Sequence, residues 1–410
     1  MPCKVLLLTQ WFDPEPTIKG LPFARELVRL GFDVEVLTGF PNYPQGKLYP
    51  GYQQRWLQRE TIDGVRIRRV PLYPSHDQSA LRRVMNYASF AVTSLLFGLR
   101  AAGRADVIYA YHPPLTVGVV AAILKIVRRR PVVYDIQDMW PDTLAATGMI
   151  SSPRVLGTVA AVCRWVYRAA DRIVVLSPGF KQILEQRGVP SAKLEVIYNW
   201  ADDVALRSTQ APLPDAFPGP DRFRVVFAGN LGKAQALDSL LEAARRLHAR
   251  NSRVSLVFIG GGVEANRLRE RAMAMGLPNV TFLPPVPMPE IGSVLQAADA
   301  LLVHLRKDRL FEITIPSKTQ AYMAVGKPIL MAVRGDAADL VTASGAGVLA
   351  QPEDPASIAA AAQDLADMDG ERLARMGARA RDYYEEHLSL QQGAARFAAI
   401  FVQLAGRRTT

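Results

Sequence analysis

Four prolines fall within ten residues at 211–220, APLPDAFPGP, and the chain repeats one architecture on either side of them. Before them, an apolar run at residues 4–9 leads into the loop WFDPEPTIKG. A helical periodicity follows over 21–30, stops at Gly31, and gives way to a second apolar run at 34–38. After them, 224–229 opens into a loop at 230–235, a helix covers 237–250, and 254–259 is apolar up to three successive glycines, Gly260 to Gly262. Strand, loop, helix, strand with short connections is the opening of a doubly wound α/β domain. A proline run without periodicity continues neither sheet and reads as a linker. The expectation is an N-terminal domain at 1–205, a linker at 206–221, a second domain at 222–387 and a tail at 388–410. With 410 residues the chain is too long for one typical core.

Cysteine is sparse, with only Cys3 and Cys163. That excludes a disulfide framework and a cysteine-based zinc site, and fits a reducing cytoplasm. The start, MPCKVLLLTQW, lacks the length and cleavage site of a signal peptide and reads as a buried strand. A formal net charge of +11 points to an anionic partner. No helix-turn-helix, aromatic RNA-binding strand or zinc finger is present in the sequence, so nucleic acid is not expected. Phosphorylated substrates and an acidic membrane surface remain. The segment at 81–100, LRRVMNYASFAVTSLLFGLR, carries two arginines and then a mostly apolar run. It is shorter than the ~20 residues that span a bilayer. Two readings stand: an interfacial helix on an anionic leaflet, or a core helix capped by surface arginines.

The stretch 311–330, FEITIPSKTQAYMAVGKPIL, reads as a helix aimed at an anion. Pro316 suits a first helical position and Gly326 a stop. Free amides near Ser317 and Lys318, the helix dipole and the Lys318 charge make a phosphate site. Glu312 is expected in the loop just upstream, within reach of sugar hydroxyls. Gly229 to Lys233 brings a glycine turn and a lysine to a strand's carboxyl end, so Lys233 and Lys318 are expected to clamp one diphosphate. In the first half a glycine and a lysine in the first loop offer a ligand phosphate a backbone approach, without GxGxxG spacing. His112, Asp135 and Asp138 fall at or near strand ends, where ligands of open α/β sheets gather. No metal-ligand cluster stands out: Asp367 and Asp369 have DxD spacing but read as a solvated turn between tail helices.

Two doubly wound halves with a proline-rich hinge, together with GNLGKAQALD, VFIGGG and FEITIPSKTQAYMAVGKPIL, resemble the retaining family-4 glycosyltransferases of the GT-B fold. LTGFPNYPQGKLYPGY, QDMWPD, YNWAD and PSKTQAY match the branch that builds O-antigen, capsule or exopolysaccharide units, similar to L-fucosamine transferases. The resemblance implies two Rossmann-like domains facing across a cleft, and a last helix that crosses back onto the first domain. It implies transfer from a nucleotide-diphosphate sugar, UDP-linked, to a glycan acceptor on a lipid diphosphate, at the inner face of the cytoplasmic membrane. No metal or other cofactor is implied. Glu312, Lys318, Asp138 and His112 are the implied catalytic residues. Gly20, Gly229, Asn230, Lys233, Ser317, Thr319 and Gln320 join Glu312 and Lys318 around the donor; Glu15, Tyr43, Asp138 and Trp140 face the acceptor. The family's second glutamate is replaced by Gln320 or Ala321, depending on the direction of counting. Rival readings are a sugar-nucleotide 2-epimerase of the same fold and a non-catalytic sugar-nucleotide-binding subunit.

Overall fold

The computed structural model describes residues 2–75, 80–146, 148–202, 205–206 and 211–406. It forms two compact units, Met1–Tyr198 with Leu390–Thr410, and Asn199–Ser389. Of the stretch read as a linker, residues 207–210 lie outside the described residues, as do 407–410 of the tail. The proline-rich residues that follow belong to the second unit, where the Ala211 amide donates to Ser293 Oγ at 3.1 Å.

The first unit is built on eight strands: β1 (Lys4–Leu8), β2 (Asp33–Gly39), β3 (Gln58–Ile62), β4 (Val65–Val70), β5 (Val107–Tyr111), β6 (Val132–Ile136), β7 (Arg172–Val175) and β8 (Leu194–Val196). Their order is β3-β4-β2-β1-β5-β6-β7-β8, so the winding reverses between β1 and β5. β1, β5 and β6 are almost wholly buried apolar runs, as strands covered on both faces must be. Only β3 runs antiparallel. The alternation at 64–71, GVRIRRVP, predicts a half-exposed strand with a basic face, and β4 lies there as one arm of a hairpin that turns at Asp63 and Gly64, both at positive φ. Arg69 breaks the expected basic face. It is 1% exposed and bonded to Glu60 at 2.7 Å.

The helix Leu390–Gly406 completes this unit. Phe397 meets Phe23 and Tyr109 edge-on at 5.3 and 5.2 Å, and Phe401 meets Phe32 at 6.0 Å. The segment at 81–100 makes up most of a helix, Ala80–Arg104. Phe90, Ser94 and Gly98 face the core, while Leu81, Val84, Val92 and Leu96 are at least 60% exposed. Among the described residues, no helix is long and apolar enough to cross a membrane.

The second unit has six parallel strands: β9 (Phe223–Ala228), β10 (Val254–Ile259), β11 (Val280–Leu283), β12 (Ala300–His304), β13 (Ile329–Ala332) and β14 (Gly347–Leu349). The order β11-β10-β9-β12-β13-β14 puts the reversal between β9 and β12. Loops leaving those two strands diverge, which opens a crevice at their carboxyl ends. Asp367 and Asp369 separate the helices Pro355–Asp367 and Gly370–Tyr383, and Asp369 caps the second by accepting from Arg372 N–H at 2.7 Å. They hold no metal-like arrangement; among the described residues none exists.

Candidate active site

In the second unit, the chain leaves β9 through Gly229 at φ +137, a conformation open to glycine. The following turn carries exposed Asn230 and the one-turn 3-10 helix Lys233–Gln235. The end of β12 holds that turn in place. His304 Nδ1–H donates to the Gln235 carbonyl at 2.6 Å, while Nε2 accepts from Glu353 N–H at 3.0 Å. Those partners fix a neutral tautomer, and burial pushes its pKa down. The Arg306 amide adds a bond to the Ala234 carbonyl at 3.0 Å.

Beyond β12 comes the one-turn helix Arg309–Glu312, capped by Asp308, and then the helix Ser317–Val325. Two expectations are corrected here. Glu312 ends a helical turn rather than lying in open loop. Pro316 is the N-cap, at ψ 135, rather than the first helical residue; its extended ψ turns the chain into the helix one step later. Gly326 does end the helix, in the left-handed region. The Glu312 backbone is packed against Gly335, at φ +74, where a Cβ would run into the Glu312 carbonyl. Its carboxylate has no partner among the described residues.

Lys318 and Tyr322 are four apart and share a helix face. The Tyr322 hydroxyl accepts from the Ala228 amide at 2.9 Å and fastens the helix to the end of β9. Lys318 Nζ is buried 3.5 Å from the centroid of Phe227, with no hydrogen-bond partner, and burial lowers its pKa to about 7. Thr319 Oγ1 and Gln320 Oε1 are also buried and unpartnered. Three such polar atoms in succession at a helix N-terminus are unfavourable unless something polar joins them. Ser317 is exposed beside them. Lys233 is exposed whereas the Lys318 ammonium is buried.

In the first unit, β1, β5 and β6 deliver a second polar group. The His112 amide donates to the Asp135 carbonyl at 3.0 Å, and its ring stands edge-on to Trp140 at 5.5 Å. His112 Nδ1 is buried without a partner, and burial lowers the ring's pKa to about 3, so it is neutral near pH 7. Burial raises Asp138 to about 6. The Trp140 amide in turn donates to the Asp138 carbonyl at 3.0 Å. Tyr43 stacks on Trp11 at 4.4 Å.

Glu15 does something else. Its carboxylate accepts from the amides of Asn42 and Tyr43, both at 2.7 Å, and of Phe12 at 3.1 Å, joining two loops. The expected phosphate approach in the first loop is also filled from within. Asp13 accepts from Leu21 N–H at 2.5 Å, at the head of the helix Leu21–Arg29, and a Cβ on Gly20 would collide with that carboxylate. Lys19 is fully buried, 5.3 Å from the Phe397 centroid, its pKa lowered by burial to about 8 and held up in part by Asp135. Asp135 in turn accepts from Tyr109 Oη and Gln137 Nε2, both at 2.6 Å. Sequence reasoning missed Lys19 as a core residue and His304 altogether; the latter's one signal is a histidine at a strand's carboxyl end facing the crevice.

Two family models match, the glycosyl transferase 4-like domain over residues 21–200 and the glycosyl transferases group 1 over 215–383. The chain belongs to the group 1 glycosyltransferase family. Family membership fits the boundary between the two units, since each model falls on one of them but for a few residues. WcaI of Escherichia coli K12, named for colanic acid biosynthesis, is 27% identical over 79% of this chain and 81% of its own. WbjE of Pseudomonas aeruginosa, named as a glycosyltransferase, is 24% identical over 74% of this chain and 77% of its own. Among solved structures, Anabaena HepE in complex with UDP and glucose superposes with a TM-score of 0.64 at 18% identity, covering 98% and 99% of the two chains. WaaG, a glycosyltransferase of lipopolysaccharide biosynthesis, gives 0.62 at 16% identity over 97% and 99%. These likenesses show the GT-B fold.

Proposed function

We propose that this protein is a retaining glycosyltransferase that takes a sugar from a UDP-linked amino or deoxyamino sugar and adds it to a lipid-diphosphate-linked glycan. The setting is surface polysaccharide assembly on the inner face of the cytoplasmic membrane. The observation that carries the reading is the buried, unpartnered Lys318 ammonium beside Gly229 at the reversal of the second sheet. A departing diphosphate gives that cation, and the free amides of its helix, the countercharge they lack. Lys233 adds positive charge from the exposed turn, Glu312 holds sugar hydroxyls, and Gln320 or Thr319 takes a ribose hydroxyl.

His112 and Asp138 position the acceptor beside Trp140. The oxygen of the leaving phosphate takes the acceptor's proton as the anomeric carbon's bond to that phosphate breaks and its bond to the acceptor oxygen forms. No protein nucleophile is required for that course. Charge stabilisation by lysines and amides means the reaction needs no metal, so turnover should withstand EDTA. The exposed apolar positions of the helix Ala80–Arg104 favour work at a membrane surface.

Mass spectrometry of products from a panel of UDP sugars and polyprenyl-diphosphate sugars tests the reading. A glycosylated lipid with retained anomeric configuration supports it. An epimerised donor, or binding without product, replaces it with one of the rival activities.

A further inference from the structure

His304 is the last residue of β12, buried at the reversal of the second sheet. Its ring reaches two loops that leave other strands: the Gln235 carbonyl lies on the turn after β9, and the Glu353 amide on the loop after β14. A carbonyl only accepts and an amide N–H only donates, so both partners select the tautomer with its proton on Nδ1. Ser239 Oγ stands 3.3 Å from Nε2 but gives its own proton to the Ala236 carbonyl at 2.8 Å. Burial above all, together with the Lys318 charge, opposes a second proton on the ring, and outweighs the Gln235 carbonyl and the Glu353 charge that favour one.

Both loops hold uncommon backbone beside these bonds. Ala236 stands at φ +46 and Glu353 at φ +53, in the left-handed region that residues other than glycine keep only where their surroundings fix them. The same clasp extends to the segment leading to Glu312. The Glu353 carboxylate accepts from the Lys307 amide at 2.5 Å, and the Arg306 amide donates to the Ala234 carbonyl at 3.0 Å. A histidine that merely filled the core would not need partners on two loops at the carboxyl ends, where ligands of such sheets gather. We infer that His304 is a positioning residue for the nucleotide sugar: by fixing the turn Lys233–Gln235 it holds the Lys233 ammonium where the donor's diphosphate lies. The inference rests on the donor site proposed above and adds to it a residue that touches no substrate. The diphosphate is there in the bound donor as well as in the transition state, so losing this support falls on binding rather than on the chemical step.

The test is calorimetric titration of UDP into the full chain, without acceptor, around a cycle of His304→Phe and Lys233→Ala. His304→Phe keeps a ring of similar size and loses both bonds; it should weaken UDP binding about tenfold. If it acts through Lys233, the same change in the Lys233→Ala background should cost less than about threefold. With the sugar donor, KM should rise while kcat stays near that of the wild type. His304→Asn restores a donor toward Gln235 and should recover most of the affinity. His304→Leu takes the place of phenylalanine in the cycle if that variant fails to fold. Asn279→Ala is the control for general destabilisation: Asn279 is buried at the amino end of β11, bonded to the Ala244 carbonyl at 2.9 Å, and its loss should leave UDP binding unchanged. Additive losses around the cycle, no recovery in His304→Asn, equal weakening in Asn279→Ala, or full UDP affinity in His304→Phe each overturn the inference and leave the donor site standing. A wild type that binds no UDP overturns the donor site itself, and this inference with it.

Discussion

Lys318 and Gly229 are in register across the crevice of the second unit: a Cβ added to Gly229 would stand 3.3 Å from Lys318 Nζ. The glycine leaves the ammonium room, and the ammonium has no anion of its own. That pairing gives opposite signs for stability and activity. Lys318→Met should raise the melting temperature of the ligand-free protein, because it removes a buried cation with no partner. Lys318→Ala should lower kcat/KM by about two orders of magnitude or more if the ammonium meets the leaving diphosphate. Calorimetric melting and steady-state kinetics check the two; near-wild-type kinetics would remove the phosphate role.

The same lysine sets a pH dependence. Its pKa is about 7 in the folded protein against about 10.4 when unfolded. Between those values the unfolded chain binds more protons, so this group's contribution to stability rises as pH climbs from about 7 to about 10, and its full penalty applies below 7. UDP binding should show the reverse trend. Above pH 7 the free site must take up a proton to meet the diphosphate, so affinity should fall as pH rises. Titration calorimetry in buffers of different ionisation enthalpy would report uptake approaching one proton at pH 8.

Gly335→Ala should disturb the site around Glu312 from a distance. At φ +74 an alanine is strained, and its Cβ would press on the Glu312 carbonyl. A strain of about 1–3 kcal/mol is expected, relieved by moving Glu312. Activity should fall at least tenfold while the rest of the second unit folds normally, which kinetics and far-UV circular dichroism would separate.

Lys19→Met should destabilise the first unit by about 3–5 kcal/mol, because it leaves the Asp135 carboxylate buried without that charge. Lys19→Met/Asp135→Asn should recover part of the loss. Denaturant melts of the single and double variants form the test, and equal losses in both would show that the two groups are not coupled.

Asn86 joins the helix Ala80–Arg104 to the loop that carries Asn42 and Tyr43. It accepts from Gln10 Nε2 at 2.5 Å and donates to the Tyr73 carbonyl at 2.6 Å and to Asn42 Oδ1 at 3.3 Å. Asn86→Leu strands these groups in the core and should cost about 1–3 kcal/mol. Proteolysis should quicken at the loop containing Tyr43, whereas Ala88→Leu on the exposed side should leave it unchanged.

Most strands and the helix Ser317–Val325 were legible because local chemistry announces them: buried apolar runs, a proline at the entry, a glycine at the exit. His112 and Asp135 were legible as neighbours because consecutive strand ends of a parallel sheet converge. Glu15 misled, since a carboxylate in a polar loop looks free until the amides of Asn42 and Tyr43 are folded onto it. Lys19 was hidden for a stronger reason. Nothing near it in the chain says it is buried; the ring that covers it is Phe397, at the far end of the polypeptide. The pairing of His304 with Gln235 and Glu353 joins three segments far apart in the chain and has no sequence period to betray it.

The placement of Phe397 and Phe401 in the first unit has a consequence for synthesis. As the chain leaves the ribosome, everything needed for the second unit emerges before the aromatic wall of the first is made. The half begun first is therefore finished last, and a nascent chain stopped just short of Leu390 would carry one mature half and one with Phe23 and Tyr109 laid bare to chaperones.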